Sequence, residues 1–282
     1  NMEIKTVDIA VIYGLNAPTP IKCFLHKADG EIGPFNKNLP AMVVAPGGGY
    51  HFVSEREADP IAVDFFNRHY NAFVLKYGVA PDYRYPTSIN QLAATVDYLK
   101  RNAKKLGIDK NRIFVIGFSA GGHLTATLAN FCDNLPVPVM KGKTLDARPA
   151  GVVLGYPVIT PESHQGSFRN LLGIEDVHCP EAEALSLEKT VSPLNPPCFI
   201  WTTAEDNSVD PMATVLYTSA LLKNKVKCEC HIFPDGWHGA ATCDERTNHA
   251  DGVKVFERSK CWLDLAADFL QSLPSLKNKK KN

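Results

Sequence analysis

Ser119, Asp206 and His238 are the residues of this chain whose types and surroundings could together carry out nucleophilic chemistry. A serine hydroxyl is a weak nucleophile until a base removes its proton. An imidazole serves as that base when a carboxylate fixes its tautomer and stabilises its charged form. Ser119 stands in Gly117-Phe-Ser-Ala-Gly121, between a β-branched run at 113–116 and a helix-forming stretch at 124–130. The order strand, tight turn, helix would leave the hydroxyl exposed at a helix N-terminus, with the N–H of Ala120 directed at an adjacent oxyanion. A Gly-x-Ser-x-Gly string alone also arises as a plain glycine-rich turn, and it is the strand before and the helix after that favour catalysis.

His238 follows the strand expected over Cys228–Phe233, in a Gly236-Trp-His-Gly239 turn whose glycines let the backbone aim the ring. The acid belongs in the turn after the strand expected at 199–203, where Glu205, Asp206 and Asp210 stand. Asp206 is favoured by its early place in that loop, Asp210 is the reserve, and Glu205 reads as a solvated neighbour. His249 is the competing base, His123 reads as structural, and His26, His69, His178 and His231 lack a supporting context.

Upstream, a compact apolar strand at 41–45 runs into Pro46-Gly-Gly-Gly-Tyr50. Consecutive glycines weaken a strand and are entropically costly, so this loop implies backbone that approaches a ligand closely. Gly48 and Gly49 are therefore expected to donate their N–H groups, with Ala120, to an oxyanion. Tyr50, His51 and Phe52 are expected at the rim, His164 in the pocket wall, and Trp237 as a further pocket residue beside the base.

These groups need a frame that brings several loops to one edge. Strands at 7–13 and 21–26 predict an opening antiparallel hairpin. Strands at 41–45, 72–77, 113–116, 151–156, 199–203 and 228–233 then alternate with helices at 58–67, 89–106, 124–130 and 213–224, with a final amphipathic helix at 253–273. Residues 109–112 read as a turn into the nucleophile strand. The long stretch 157–197 reads as an irregular pocket wall with a short helix near 181–189. The pattern predicts an α/β fold: a mostly parallel sheet with helices on both faces, the N-terminal hairpin at one side and no large cap domain, with ligands at the carboxyl ends of the strands.

The 282 residues, 45% hydrophobic and 21% charged, describe an ordinary soluble globular protein, expected as one domain over 1–275 with a basic solvated tail at 276–282. Lys+Arg and Asp+Glu balance at 30 each, which disfavours nucleic acid and acidic membrane surfaces as partners and favours a small neutral ligand. No apolar run approaches a membrane span. The eight cysteines show no Cys-x-x-Cys or zinc-like spacing and read as reduced, buried side chains. Asn1 ahead of Met2 reads as a cloning remnant, and the N-terminus lacks a signal-peptide pattern, so a cytoplasmic location is expected. No metal or organic cofactor is expected, and a homo-oligomer is left open.

Taken together, the sequence resembles the serine α/β-hydrolases of the acetyl-esterase type, in particular a bacterial group labelled lipase/esterase, xylan esterase or endo-xylanase. The resemblance covers nearly the whole chain, through Ala-Pro-Gly-Gly-Gly-Tyr (45–50), Ile-Gly-Phe-Ser-Ala-Gly-Gly-His-Leu (116–124), Arg-Pro-Ala-Gly-Val-Val-Leu-Gly-Tyr-Pro-Val-Ile (148–159), Trp-Thr-Thr-Ala-Glu-Asp (201–206) and His-Ile-Phe-Pro-Asp-Gly-Trp-His-Gly (231–239). It implies Ser119 as nucleophile, Asp206 as acid, His238 as base and Gly48, Gly49 and Ala120 as oxyanion donors. The pattern departs at Pro46, where many relatives carry His-Gly-Gly-Gly, which leaves the loop's anchor unassigned. It departs again at Asp210, where a proline would follow Val209. The implied activity is hydrolysis of short-chain carboxylic esters, with acetylated sugars or xylo-oligosaccharides as substrate. The alternatives are another serine hydrolase (lipase, lactonase, thioesterase or peptidase) or a non-catalytic binding protein on the same fold.

Overall fold

The computed structural model describes residues 2–135, 144–248 and 255–276. The strands β1 (Met2–Asp8), β2 (Pro20–His26), β3 (Leu39–Ala45), β4 (Asn71–Leu75), β5 (Ile108–Phe118), β6 (Gly151–Gly155), β7 (Cys198–Thr203) and β8 (Cys228–Phe233) form one eight-stranded sheet in the order β1-β2-β4-β3-β5-β6-β7-β8. The β1/β2 and β2/β4 pairs are antiparallel and the other pairs are parallel.

Side chains alternate across a strand, so a sheet buried on both sides needs apolar residues at successive positions. β5 shows this: Ile113 and Val115 enter one apolar cluster, and Phe114, Ile116 and Phe118 enter the other. Helices α1 (Asp59–Asn67), α2 (Thr87–Arg101), α3 (Ala120–Phe131), α4 (Gln165–Leu172), α5 (Met212–Lys223) and α6 (Trp262–Gln271) cover the two faces. α2, α3 and α5 bury Leu92, Val96, Leu124, Leu128, Tyr217 and Leu221 in the first cluster, and α1 and α6 bury Ile61, Phe65, Trp262 and Phe269 in the second. Trp262 stacks on Trp201 of β7 with ring centroids 4.8 Å apart, which fixes α6 to the sheet. Each fully buried large apolar side chain contributes about 2 kcal/mol relative to exposure, so both faces are strongly held.

The chain leaves β3 for β4 on one side, then returns past β3 to β5 and continues to β8 on the other. The strand order therefore reverses between β3 and β5, and their carboxyl ends open the crevice in which such sheets bind ligands. Ala45 lies opposite Gly117 in this pair. The glycine loop and Ser119 thus emerge side by side.

Several boundaries differ from the sequence-based expectation. The first strand is Met2–Asp8 rather than 7–13, and Ala10–Tyr13 is a helical turn. Asp8 Oδ1 accepts from the N–H groups of Ala10 (2.9 Å) and Thr19 (3.0 Å), which ends the strand and caps the turn. Residues 109–112 belong to β5 rather than to a turn, because Ile108 already pairs with Leu39 across an irregularity in the register. The helix expected at 89–106 divides at Asn102 into α2 and the turn Ala103–Leu106, and Gly107 closes the latter with φ +67°. The stretch 157–197 contains α4, which the polar composition concealed. The last helix begins at Trp262, since Phe256 N–H donates to Cys243 O (3.0 Å) and Ser259 Oγ donates to Asp235 O (2.8 Å), holding residues 256–259 against other loops. Residues 253–254 of that expected helix, residues 277–282 of the expected tail, and His249 lie outside the described residues.

Candidate active site

The turn from β5 into α3 forces Ser119 to φ +52° and ψ −121°, a conformation that costs an L-residue of order 1–3 kcal/mol and persists only where the surroundings impose it. Here they do. Ser119 N–H donates to Gly155 O, and Ser119 O accepts from the N–H groups of His123 and Val158, each at 3.0 Å. The flanking glycines are steric requirements: a Cβ on Gly117 would lie 2.1 Å from Gly121 O, and one on Gly121 would lie 2.1 Å from Ala45 O.

Ser119 Oγ is 2.8 Å from His238 Nε2, and His238 Nδ1 is 2.7 Å from Asp206 Oδ2. The carboxylate fixes the proton on Nδ1 and leaves Nε2 as the acceptor for the serine hydroxyl. Asp206 is itself oriented, because its Oδ1 accepts from the N–H groups of Ser208 (3.0 Å) and Val209 (2.9 Å). Its side chain is 1% exposed, against 17% for His238, so the carboxylate is dry while the imidazole remains reachable. The reserve acid, Asp210, is exposed and accepts from Met212 N–H (2.9 Å) at the start of α5; Glu205 is exposed as well. The Tyr156 ring meets His238 edge-on, with centroids 5.0 Å apart.

A cleft of about 500 Å³ opens over Ser119, and Gly48, Gly49, His51, Phe52, Asn170, His164, Ser208 and His238 contribute to its wall. Ala120 opens α3, so its N–H belongs to the first helical turn, which has no intrahelical acceptor. The glycine loop is tightly held: the carbonyls of Pro46, Gly47, Gly48 and Gly49 accept from Tyr77 Oη, Ser54 N, Phe52 N and Asn170 Nδ2 respectively. Asn170 belongs to α4, whose N-cap is His164; His164 Nδ1 accepts from Ser167 N–H (3.1 Å). Burial, and then the neighbouring His238, lower the His164 pKa.

Two expected pocket residues lie elsewhere. Tyr50 is 3% exposed, with φ +57° turning its side chain under the loop, and its hydroxyl donates to His123 Nδ1 (2.9 Å). It is a core residue rather than a rim residue. Trp237 packs edge-on against Phe256, with centroids 5.1 Å apart, and does not line the cleft. His123 completes the Tyr50 contact: its Nε2–H donates to Leu185 O (3.0 Å), and burial pushes its pKa down to about 4. Arg56, Glu57 and Asn170 were missed in the sequence reading, although all three line the cleft. No recurring motif marks them. Among the described residues, no group of three His, Cys, Asp or Glu side chains is arranged to hold a metal ion, all eight cysteines are free thiols, and no helix is long and apolar enough to cross a membrane.

A model of the protein family described as BD-FAE matches residues 34–221. This chain belongs to the BD-FAE family. The endo-1,4-beta-xylanase B of Butyrivibrio fibrisolvens is 36% identical to this BD-FAE chain over 211 residues, which are 72% of this chain and 33% of the relative. The acetylxylan esterase of Xylanibacter ruminicola is 31% identical over 215 residues, 73% of this chain and 42% of the relative. The BD-FAE chain thus spans less than half the length of these curated relatives. Among solved structures, an acetyl ester-xyloside bifunctional hydrolase from Caldicellulosiruptor lactoaceticus is 32% identical with a TM-score of 0.75, the match covering 92% of this chain and 89% of the other. The carboxylesterase Cest-2923 from Lactobacillus plantarum is 27% identical with a TM-score of 0.82, covering 98% and 100%. The fold is that of the α/β-hydrolases, shared with these two solved structures.

Proposed function

We propose that this chain hydrolyses short-chain carboxylic esters, with acetyl groups on xylo-oligosaccharides or related sugars as its substrates, through an acyl-enzyme on Ser119. The observation that carries the reading is the continuous hydrogen-bonded series Ser119–His238–Asp206 at the floor of an open cleft. Ser119 Oγ attacks the ester carbonyl as His238 Nε2 takes its proton. The tetrahedral oxyanion is stabilised by the N–H groups of Gly48, Gly49 and Ala120, and His238 returns the proton to the departing sugar oxygen. Water, activated by the same imidazole, then attacks the acyl-enzyme, releases acetate and restores Ser119. Asp206 keeps the imidazole in the right tautomer and stabilises the imidazolium.

A small acyl group and a polar leaving group suit the wall, in which His51, His164, Asn170 and Ser208 offer hydrogen-bonding groups and Phe52 is the large apolar side chain. The acetyl-ester and acetylxylan esterase names of two relatives support the same choice. The test compares acetate release from acetylated xylo-oligosaccharides with turnover of p-nitrophenyl acetate and octanoate, with Ser119→Ala as control. Sugar deacetylation and acetate turnover should exceed octanoate turnover, and Ser119→Ala should lower kcat by about 10⁴-fold or more. Turnover of p-nitrophenyl acetate without sugar deacetylation would remove the carbohydrate assignment.

A further inference from the structure

The two loops that must meet at Ser119 come from distant parts of the chain, the glycine loop after β3 and the histidine loop after β8, and each needs an anchor. Pro46 has neither an N–H nor a polar side chain, and is held through its carbonyl alone, which accepts from Tyr77 Oη. We infer that Glu57 is a positioning residue that locks the oxyanion loop and the histidine loop into one geometry; the inference rests on the ester-hydrolase reading of the site.

Glu57 ends the 3-10 turn Glu55–Glu57 just before α1, and is only 2% exposed. Its Oε2 accepts from Gly47 N–H at 2.7 Å, while its Oε1 accepts from the Tyr156 hydroxyl at 2.8 Å. A carboxylate is acceptor-only, and two donors from separate elements satisfy it in this dry site. Burial, and then Glu57 itself, hold the Tyr156 hydroxyl well above its usual range, so it stays a donor.

On one side the contact is intimate. A Cβ at Gly47 would lie 2.6 Å from Glu57 Oε2 and 2.9 Å from Ser119 Cβ, so the carboxylate, the loop and the nucleophile are packed without space between them. Gly47 N–H on Glu57 fixes the Pro46–Gly47 peptide, and Gly47 O on Ser54 N–H (3.0 Å) fixes the Gly47–Gly48 peptide that carries the Gly48 N–H.

On the other side, the Tyr156 hydroxyl accepts from Ala241 N–H (3.1 Å), and its ring supports His238. A Cβ at Gly239, the residue after the base, would lie 3.8 Å from Glu57 Oε1. One buried side chain therefore touches both arms of the site, and its loss would release donor and base together.

The experiment uses the full chain as wild type, Glu57→Ala, Glu57→Gln and Ser119→Ala, each checked for folding by circular dichroism. It measures kcat and KM for p-nitrophenyl acetate and the hydrogen-exchange rate of the Gly47 amide by NMR. In Glu57→Ala, kcat should fall about 10²-fold with KM within about threefold, since oxyanion stabilisation acts on the transition state. The Gly47 amide should exchange at least about tenfold faster, while amides of β5 keep their protection. Glu57→Gln keeps a carbonyl acceptor for Gly47 and should sit about tenfold below wild type in kcat.

A kcat for Glu57→Ala within about threefold of wild type, or unaltered Gly47 exchange, would overturn the inference. Should Glu57→Ala fail to fold, Glu57→Gln decides: a lowered kcat at unchanged KM supports the anchor, and wild-type kcat with wild-type exchange removes it. Activity surviving in Ser119→Ala would instead remove Ser119 as the nucleophile, and the exchange rates would still decide whether Glu57 holds the loop.

Discussion

Ser119 is held at φ +52° by three backbone hydrogen bonds while its hydroxyl faces an imidazole whose far nitrogen is fixed by a carboxylate. The distinction between the two candidate acids is at this scale an orientation effect. Asp206 spends one oxygen on two backbone N–H groups and the other on His238, whereas Asp210 faces solvent and its carboxylate accepts from Met212 N–H at the start of α5. Replacing Asp206 with Asn should therefore lower kcat by about 10⁴-fold, because the amide no longer enforces the Nδ1–H tautomer. Asp210→Asn, an exposed change, should leave kcat within about twofold of wild type. Steady-state kinetics on p-nitrophenyl acetate separates the two, and a large loss confined to Asp210→Asn would reverse the assignment. Ser119, Asp206 and His238 stood out in the sequence because each follows a strand in chain order. Glu57 did not, since a lone glutamate between a turn and a helix carries no spacing signal. Tyr50 was misread because nothing in its neighbours announces the positive φ that swings its ring under the loop.

Elements position these residues through a few buried polar contacts, of which His123 is the most exacting. From α3 it takes the Tyr50 hydroxyl on one nitrogen and gives its N–H to Leu185 O on the other, tying α3 to the glycine loop and to the 157–197 segment. Burial holds its pKa at about 4, below the ordinary 6.5. As pH falls through that window, the unfolded chain takes up a proton here that the folded chain refuses, so stability drops by up to about 3 kcal/mol and does not recover below it. Urea denaturation followed from pH 7 to pH 4 should show this slope. His123→Gln, neutral throughout, should be less stable at pH 7 and should lose that part of the slope; parallel curves for the two proteins would show that His123 does not set it. The helical period made α2, α3 and α5 legible within a few residues. α4 escaped because its N-cap is a histidine, outside the usual Ser, Thr, Asp and Asn. The opening strand was shifted because Ile9 and Tyr13 are buried while Val11 and Ile12 are exposed, a helical pattern in four apolar residues that also suits a strand.

Across the whole molecule, the reversal of strand order between β3 and β5 is what brings the pieces together, since it sets the glycine loop beside Ser119 and leaves the β7 and β8 loops to approach from the opposite side. That architecture was legible from the alternation of apolar strands and helices, whereas the contacts between loops depend on side chains far apart in sequence. Such a convergence should make Ser119 the reactive nucleophile of the chain. Intact-protein mass spectrometry with a fluorophosphonate, followed by peptide mapping, measures that reactivity. One phosphonyl adduct per chain is expected, carried by Ser119, formed at a rate that falls sharply in His238→Ala and absent in Ser119→Ala. Folded wild-type protein that stays unlabelled, or an adduct on another residue, would rule Ser119 out as that nucleophile.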